Sequence, residues 1–253
     1  MRIAIVTGAS SGIGREFAEK LALREDIEEV WIISRRLDVL EEMKNSTNSK
    51  FVPIALDLSE KKDAENYKYM LSSRNPEVAV LVNAAGYGKF GAVENVGLEE
   101  QCGMIKLNAE GLTRVTYYTV PFMDDGGEIY QIASLSGFFP VPYISVYAAT
   151  KAYVLSFSRA LNVELKKRNV RSMAVCPGWV RTEFFERAVE DNGVIVYYNK
   201  FVTAEQVVRR AFRDMKKKKD VSVPAMSTRM LIRTAKLLPH RLVMKIWCKQ
   251  QKK

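Results

Sequence analysis

The sequence is poor in the residues that build metal sites and disulfide frameworks. It has a single histidine, His240, and three widely separated cysteines, Cys102, Cys176 and Cys248. A zinc site or a serine–histidine–aspartate triad cannot be assembled from so few residues at these spacings. An odd, scattered set of cysteines also argues against disulfide bonds and favours a reducing compartment. We therefore expect no metal, no histidine-based triad and free thiols.

Long apolar runs are lacking as well. No stretch approaches the ~20 consecutive apolar residues of a membrane-spanning helix. The chain opens directly on a strand-like run at residues 2–7, so no signal peptide is recognisable. These two absences predict a soluble, cytoplasmic protein.

Acidic residues are scarce in the C-terminal fifth of the chain. Residues 200–253 contain 16 lysines and arginines against three acidic residues, so this part supplies all of the net charge of +10. Within it, residues 226–253 form a basic amphipathic extension divided at Pro239. Such an extension can make weak contact with an anionic membrane, or it can pack on the domain with a solvated charged face. No recognisable nucleic-acid-binding module accompanies the charge, so we expect no nucleic-acid partner.

Apolar runs alternate with amphipathic stretches along the whole chain. Strand-like runs occur at 2–7, 29–34, 51–56, 78–83, 128–133, 171–176 and 220–224. Helix-like stretches separate them, at 13–24, 37–45, 60–73, 97–119, 147–168 and 204–218. This alternation predicts right-handed crossovers and an α/β fold with a mostly parallel, doubly wound sheet. No repeat or linker divides the chain, so we expect a single domain over residues 1–253.

The first predicted strand runs into a glycine-rich turn that precedes a helix. The turn reads Gly8-Ala9-Ser10-Ser11-Gly12-Ile13-Gly14. A strand, a glycine-rich turn and a helix together bring backbone amides and a helix N-terminus to a pyrophosphate. The spacing differs from the commoner Gly-x-Gly-x-x-Gly fingerprint and lacks the Gly-Lys-Ser/Thr ending of a P-loop, which argues against ATP.

Tyr147 and Lys151 are four positions apart in a predicted helix and therefore share a face. An ammonium beside a phenol favours the phenolate, which makes the phenol a usable proton donor and acceptor near neutral pH. An isolated pair of this kind is more often an ordinary helix-surface pair, so the pair needs support from other motifs.

That support comes from several motifs in one order along residues 1–190: Thr7-Gly8-x-x-x-Gly12-x-Gly14, Asn83-Ala84-Ala85-Gly86, Ser134 and Tyr147-x-x-x-Lys151. Together they resemble the short-chain dehydrogenase/reductase family. The resemblance implies a Rossmann-type sheet of seven strands in the order 3-2-1-4-5-6-7. It also implies a substrate-lid segment at 183–203, and a homodimer or homotetramer formed through the helices near 97–119 and 147–168.

The resemblance implies four catalytic residues. Tyr147 would exchange a proton with the substrate oxygen, and Lys151 would lower the pKa of Tyr147 and hold the nicotinamide ribose. Ser134, favoured over Ser136 by its spacing from Tyr147, would donate a hydrogen bond to the substrate oxygen. Asn108 would anchor a water in the proton relay; the alternative is a buried side chain that bonds locally within its helix.

The resemblance also implies a cofactor site. Its residues are Gly8, Ser10, Ser11, Gly12, Ile13, Gly14, Ser34, Arg35, Arg36, Asp57, Leu58, Asn83, Ala84, Ala85, Gly86, Tyr147, Lys151, Pro177, Gly178, Val180 and Thr182. Asp57 would accept a hydrogen bond from the adenine amino group. The alternative is that Asp57 caps the N-terminus of the next helix, although Ser59 suits that role better. Val180 and Thr182 would contact the nicotinamide amide, whereas Asn83 is expected to steady neighbouring strands.

The end of the second strand bears on the choice of cofactor. It reads Ser34-Arg35-Arg36, with no acidic residue before Asp38. An acidic residue there would bond the ribose and repel a 2′-phosphate, whereas a guanidinium grips a phosphate with paired donors. The segment therefore favours NADP(H) over NAD(H), unless the two arginines merely begin an exposed helix.

Three predicted substrate-side loops are rich in aromatic residues: 138–143, Tyr87 with Phe90, and Phe184 with Phe185. They predict an apolar pocket for a steroid, an acyl chain or another hydrophobic carbonyl compound, although each residue could be a core or dimer contact. The interpretation is an NADP(H)-dependent oxidoreductase. The alternatives are a non-catalytic NADP-binding sensor and a peripheral membrane reductase of lipid carbonyls.

Overall fold

The computed structural model describes residues 1–47, 50–189, 195–198 and 201–252. Seven parallel strands form one sheet in the order β3-β2-β1-β4-β5-β6-β7. The strands are β1 (Arg2–Thr7), β2 (Glu29–Ser34), β3 (Phe51–Ala55), β4 (Glu77–Asn83), β5 (Met123–Ile132), β6 (Arg171–Val175) and β7 (Val221–Ser222). The predicted fold class and strand order are confirmed.

Helices cover both faces of the sheet. They are α1 (Gly12–Ala22), α2 (Leu37–Thr47), α3 (Lys61–Arg74), α4 (Leu98–Ile105), α5 (Leu112–Thr119), α6 (Ser145–Glu164), α7 (Glu183–Val189), α8 (Ala204–Lys216), α9 (Met226–Ala235) and α10 (His240–Gln250). On β2, Val30 and Ile32 pack toward α1, α2 and α8, while Trp31 and Ile33 pack toward α3, α5 and α6. Burial on both faces explains why the strands are continuously apolar.

Several elements differ from the sequence prediction; β5, for example, begins at Met123 and not at residue 128. The last strand pairs over only two residues, Val221–Ser222, where the apolar run suggested five. The helix predicted at 97–119 is divided by a π-helical segment, Lys106–Gly111, between α4 and α5. A π-helical turn inserts an extra residue and is common at functional sites. Here it lies where Gly111 approaches the backbone oxygen of Leu58 so closely that a side chain at 111 would clash.

The C-terminal extension folds as α9 and α10 against the domain. The indole of Trp247 donates to the backbone oxygen of Pro142 over 3.0 Å. Gln251 is buried, and its side-chain oxygen accepts from the backbone amides of Val196 and Tyr197, at 2.9 Å each. The extension is thereby tied to the lid segment 183–203, of which residues 190–194, 199 and 200 lie outside the described part. Within the described chain, the helices are too short or too polar to cross a membrane.

Candidate active site

The glycine-rich turn at the end of β1 brings the N-terminus of α1 to one end of a cleft. Gly8 and Gly12 have φ values of +66° and +56°, which side-chain-bearing residues rarely adopt. A Cβ on Gly8 would lie 2.7 Å from the backbone carbon of Ala84, and one on Gly14 would collide with the oxygen of Gly8. Only glycines allow these backbones to approach so closely.

A cleft of about 490 Å³ follows the carboxyl ends of the strands. Of the predicted site residues, it brings together Gly8, Ser10, Ser11, Gly12, Ile13, Gly14, Ser34, Arg35, Arg36, Asp57, Leu58, Ala84, Ala85, Gly86, Ser134, Tyr147, Lys151, Pro177, Gly178, Val180 and Thr182. Two predicted residues, Asn83 and Asn108, do not line it. This cleft is where ligands bind in an open parallel sheet.

Asn83 lies beneath the cleft and links two strands and a helix. Its side-chain nitrogen donates to Gln131 on β5 over 3.0 Å and to Thr116 on α5 over 2.9 Å. All three side chains are buried. This geometry suits the expected structural role, in which Asn83 holds β4 in place under the cleft.

Asn108 lies in the π-helical segment, and its side-chain amide bonds two other parts of the chain. The oxygen accepts from the backbone amide of Tyr87 over 3.0 Å. The nitrogen donates to the backbone oxygen of Tyr87 over 2.9 Å and to Thr150 over 3.1 Å. The side chain links the loop after β4 to α6 and does not bond within its own helix, as the alternative expected. Its place in a proton relay stays a prediction.

Ser134, Tyr147 and Lys151 lie together in the middle of the cleft. Tyr147 and Lys151 are 8% and 5% exposed. The Lys151 ammonium donates to the backbone oxygen of Ile132 over 2.7 Å, and its nitrogen lies 5.7 Å from the centre of the Tyr147 ring. Ser134, and not Ser136, is the serine that lowers the pKa of Tyr147. The choice of Ser134 over Ser136 as the substrate-binding hydroxyl stays a prediction.

Burial, rather than the charge of Lys151, dominates the pKa of Tyr147, and the predicted lowering of that pKa by Lys151 stays a prediction. Burial raises the pKa of Tyr147 to about 12, although the hydrogen bond with Ser134 lowers it in part. Burial also lowers the pKa of Lys151 to about 8. The Lys151 ammonium is held by the Ile132 carbonyl and lies over the Tyr147 ring. Tyr147 is therefore protonated at neutral pH, the form that donates a proton.

The two arginines after β2 lie at the far end of the cleft, and both contact a carboxylate. The Arg35 guanidinium lies 3.6 Å from Asp57. Arg36 donates to the Ser10 hydroxyl over 3.1 and 3.3 Å and to Glu183 over 3.0 Å. Both side chains remain about half exposed. Cationic groups thus surround the position next to the glycine-rich turn.

Asp57 is not a helix cap, and neither is Ser59. Helix α3 begins at Lys61, and Glu60 precedes it without a side-chain capping bond. Ser59 instead donates its amide (3.0 Å) and its hydroxyl (2.6 Å) to the Asp57 carboxylate. Burial raises the pKa of Asp57, but these bonds and the charge of Arg35 outweigh it and hold the pKa below its usual value. Asp57 therefore faces the cleft as a carboxylate.

The other end of the cleft is apolar. Its aromatic residues include Phe90 and Phe184, whose ring centres lie 5.8 and 5.6 Å from that of Tyr147. Phe139, Phe185 and Tyr87 line the same end, as predicted. Phe138 does not: its ring packs in another cluster, with the Lys236 ammonium 5.1 Å from its centre. Tyr147 thus lies between a polar half and an apolar half of one cleft.

Comparison with known proteins decides the family. The family model described as short chain dehydrogenase matches residues 2–193. The chain belongs to this family. Among curated relatives, the very-long-chain 3-oxoacyl-CoA reductase of Rattus norvegicus is 36% identical over 191 residues, which are 71% of this chain and 60% of that protein. The predicted family membership and oxidoreductase class are confirmed.

Solved structures agree with this membership. A short-chain dehydrogenase from Sphingobium yanoikuyae in complex with NADPH is 29% identical, with a TM-score of 0.76 and 89% of each chain covered. A bulky-bulky ketone specific alcohol dehydrogenase from Comamonas testosteroni is 25% identical, with a TM-score of 0.74 and coverage of 94% and 92%. A family protein from Burkholderia phymatum in complex with NAD, 19% identical, shares the fold at a TM-score of 0.77.

Some cleft residues of this short-chain dehydrogenase escaped the sequence analysis. Trp179 and Glu183 line the cleft from the segment after β6, and Trp247 lines it from α10. Trp179, which lies beside the lid segment in the sequence, could have indicated an apolar wall. No local pattern could have linked Glu183 to Arg36, because the two are 147 positions apart.

Proposed function

We propose that this short-chain dehydrogenase is an NADP(H)-dependent oxidoreductase. It reduces the carbonyl group of a hydrophobic small molecule, or oxidises the corresponding secondary alcohol. The observation that carries the proposal is the position of Ser134, Tyr147 and Lys151 between the polar and apolar halves of one cleft. A nicotinamide cofactor, when bound, supplies or accepts a hydride; the protein supplies position and protons.

Tyr147 acts as the proton donor in the reductive direction. Its raised pKa keeps the phenol protonated, and the Ser134 hydroxyl is close enough to contact the same substrate oxygen. When the phenol gives up its proton, the nearby Lys151 ammonium stabilises the phenolate that remains. In the oxidative direction the same groups take the proton back.

The residues around the polar half fit a phosphorylated dinucleotide. Gly8, Gly12 and Gly14 allow a tightly packed turn that ends at the N-terminus of α1, where backbone amides can bind a pyrophosphate. Arg35 and Arg36 at the end of β2 support a contact with a 2′-phosphate. Both arginines must exchange a carboxylate for that phosphate, which the exposure of these ion pairs allows.

The apolar half supports a bulky hydrophobic substrate. Its walls are formed by four aromatic side chains, those of Phe90, Phe184, Trp179 and Trp247. The relatives named above include a reductase of very-long-chain 3-oxoacyl-CoA and an alcohol dehydrogenase specific for bulky-bulky ketones. Ketones flanked by long or bulky apolar groups are the class that we propose.

We further propose that the protein forms a homo-oligomer through α4, α5 and α6. These helices expose large apolar side chains to solvent: Leu98, Ile105, Tyr117, Tyr153 and Val163. Exposed apolar residues concentrated on adjoining helices are typical of subunit interfaces.

The test is the rate of NADPH oxidation with ketosteroids, β-ketoacyl thioesters, quinones and sugar ketones. We expect turnover on one hydrophobic class, loss of turnover in Tyr147→Phe, and unchanged NADPH binding by that variant in calorimetry. Turnover with NADH alone would contradict the role of Arg35 and Arg36. Tight NADPH binding without turnover on any carbonyl would favour the sensor alternative.

A further inference from the structure

The last part of the chain carries positive charge that is not neutralised within the described structure. Residues 221–253 contain eight lysines and arginines and no acidic residue. Within the described residues, the carboxylates that form ion pairs in the C-terminal fifth are Glu205, Asp214 and Asp220, all of which precede this segment. An ordinary solvated helix face mixes charges of both signs, so this segment differs from one.

The same segment exposes large apolar side chains. Ile232 and Ala235 of α9 and Gln251 after α10 are buried and hold the helices on the domain. The outward side carries Met226, Met230, Leu237, Leu238, Leu242 and Ile246, with Leu237 85% exposed. We call these residues, together with Arg233, Lys236, Arg241, Lys245 and Lys249, the α9–α10 surface.

The charged and apolar residues of α10 form adjacent rows. Leu242 and Ile246 are four positions apart, as are Arg241, Lys245 and Lys249, so each set follows one side of the helix. A helix with an apolar row beside a row of lysines and arginines lies in the boundary between lipid headgroups and acyl chains.

The cleft opens at this surface. Leu231 of α9 and Ile246 of α10 line the apolar half of the cleft, and both are also about two-fifths exposed. Residues that line a cavity and face solvent at the same time stand at its mouth. The apolar half of the cleft therefore has an opening beside α9 and α10.

We propose that the α9–α10 surface docks on an anionic phospholipid bilayer, and that the hydrophobic substrate enters the cleft from the bilayer. Exposed leucines and methionines would insert among the acyl chains, while the lysines and arginines pair with lipid phosphates. The docking step stands on the surface alone. The entry step rests on the proposed function.

The first experiment is co-sedimentation of the full chain with vesicles of phosphatidylcholine, alone or mixed with phosphatidylglycerol. We expect partitioning onto the mixed vesicles to be at least about tenfold stronger, and to weaken as salt is added, because several lysines and arginines contribute. No sedimentation with the mixed vesicles at low salt overturns the proposal.

A charge-reversal pair separates docking from general attraction. Arg241→Glu, Lys245→Glu and Lys249→Glu change the α9–α10 surface, and a matched triple variant at Lys216, Lys217 and Lys218 changes the net charge equally at the end of α8. We expect the first variant to lose sedimentation and the second to keep most of it. Equal loss in both variants overturns the proposal.

A second pair tests insertion of apolar residues. Leu237→Ser with Leu242→Ser should weaken sedimentation severalfold, because neither leucine can then enter the acyl region. Leu23→Ser with Tyr69→Ser, which removes comparable exposed apolar groups on other helices, should not. Sedimentation unchanged by the first pair, together with equally tight binding to heparin, would assign the charge to a polyanionic partner instead.

The entry step is tested with a hydrophobic ketone presented in vesicles and a small water-soluble ketone. The Leu237→Ser/Leu242→Ser variant should lose turnover on the vesicle-borne ketone and keep it on the soluble one. Equal turnover on both ketones would overturn entry from the bilayer while leaving docking intact. If no carbonyl is reduced at all, the proposed function fails and the sedimentation result still stands.

Discussion

At the scale of single residues, the buried position of Lys151 reduces the stability of the folded protein. Its ammonium is buried, and burial lowers its pKa to about 8. A lysine is tolerated there because the Ile132 carbonyl accepts from it and because its charge can stabilise a phenolate at Tyr147. Groups kept for reactivity often reduce the stability of the fold.

This placement predicts that Lys151→Met raises the free energy of unfolding by about 1–3 kcal/mol at pH 7 while it abolishes turnover. The folded-state pKa of Lys151 is below its unfolded value, so the penalty is complete below pH 8. It should fade as pH rises from about 8 toward 10.5. Urea unfolding of both proteins across this pH range measures the difference. A variant that is less stable than the wild type at pH 7 would contradict the prediction.

The pH profile of turnover follows from the same residue. The phenolate left at Tyr147 is stabilised only while Lys151 is charged. Reduction should therefore slow as pH rises through about 8. The measurement is kcat/KM for carbonyl reduction against pH, at saturating NADPH. A flat profile from pH 7 to pH 9 would mean that the lysine charge does not assist the proton transfer.

Asn108 should matter for stability as well as for activity. Asn108→Ala removes the two hydrogen bonds that the buried Asn108 amide makes with the backbone of Tyr87. We expect a loss of about 1–3 kcal/mol in the free energy of unfolding, because each lost hydrogen bond contributes about 1 kcal/mol. Thermal or urea unfolding measures it, with Asn66→Ala on the exposed side of α3 as a control. Equal stability of the two variants would contradict the assignment.

At the scale of elements, α7 joins the two halves of the cleft. Its first residue, Glu183, bonds Arg36 at the polar end, and the next residue, Phe184, packs near Tyr147 at the apolar end. One short helix therefore contacts both the region proposed for the 2′-phosphate and the region proposed for the substrate.

The contact between Glu183 and Arg36 predicts a cofactor effect. Glu183→Gln removes a carboxylate that competes with a 2′-phosphate for Arg36, and it also removes a charge that repels the phosphate. NADPH should bind about two- to fivefold more tightly, the scale of an exposed ion pair, while NADH binding changes less. Isothermal calorimetry with both cofactors measures this. The same gain for NADH would show that the 2′-phosphate is not involved.

At the scale of the whole molecule, α4, α5 and α6 present the apolar area proposed for self-association. Val163→Glu should shift the protein toward monomers, because a charge would be buried in the interface. Light scattering during size exclusion measures the mass. The control is Leu23→Glu, which introduces the same charge at an equally exposed leucine at the end of α1. Equal masses for both variants and the wild type would place the interface elsewhere.

Features of the fold and the site that depend on a short stretch of sequence could be predicted from the sequence alone. The turn from Gly8 to Gly14 and the Tyr147–Lys151 spacing could be recognised because each is a short pattern. The hydrogen bond from Arg36 to Glu183 could not be predicted, because it depends on where α7 packs relative to the glycine-rich turn. The raised pKa of Tyr147 could not be predicted from the sequence either, because the burial that raises it comes from tertiary packing.

The positions of the three tryptophans allow cofactor binding to be followed by the protein's own fluorescence. Trp31 is enclosed in the core beneath the sheet, whereas Trp179 and Trp247 line the cleft. Reduced nicotinamide accepts excitation energy from a nearby indole, so cofactor binding should quench the two cleft emitters and leave the buried one bright. Removing Trp247 by Trp247→Phe would then isolate Trp179 as the sensor of the nucleotide.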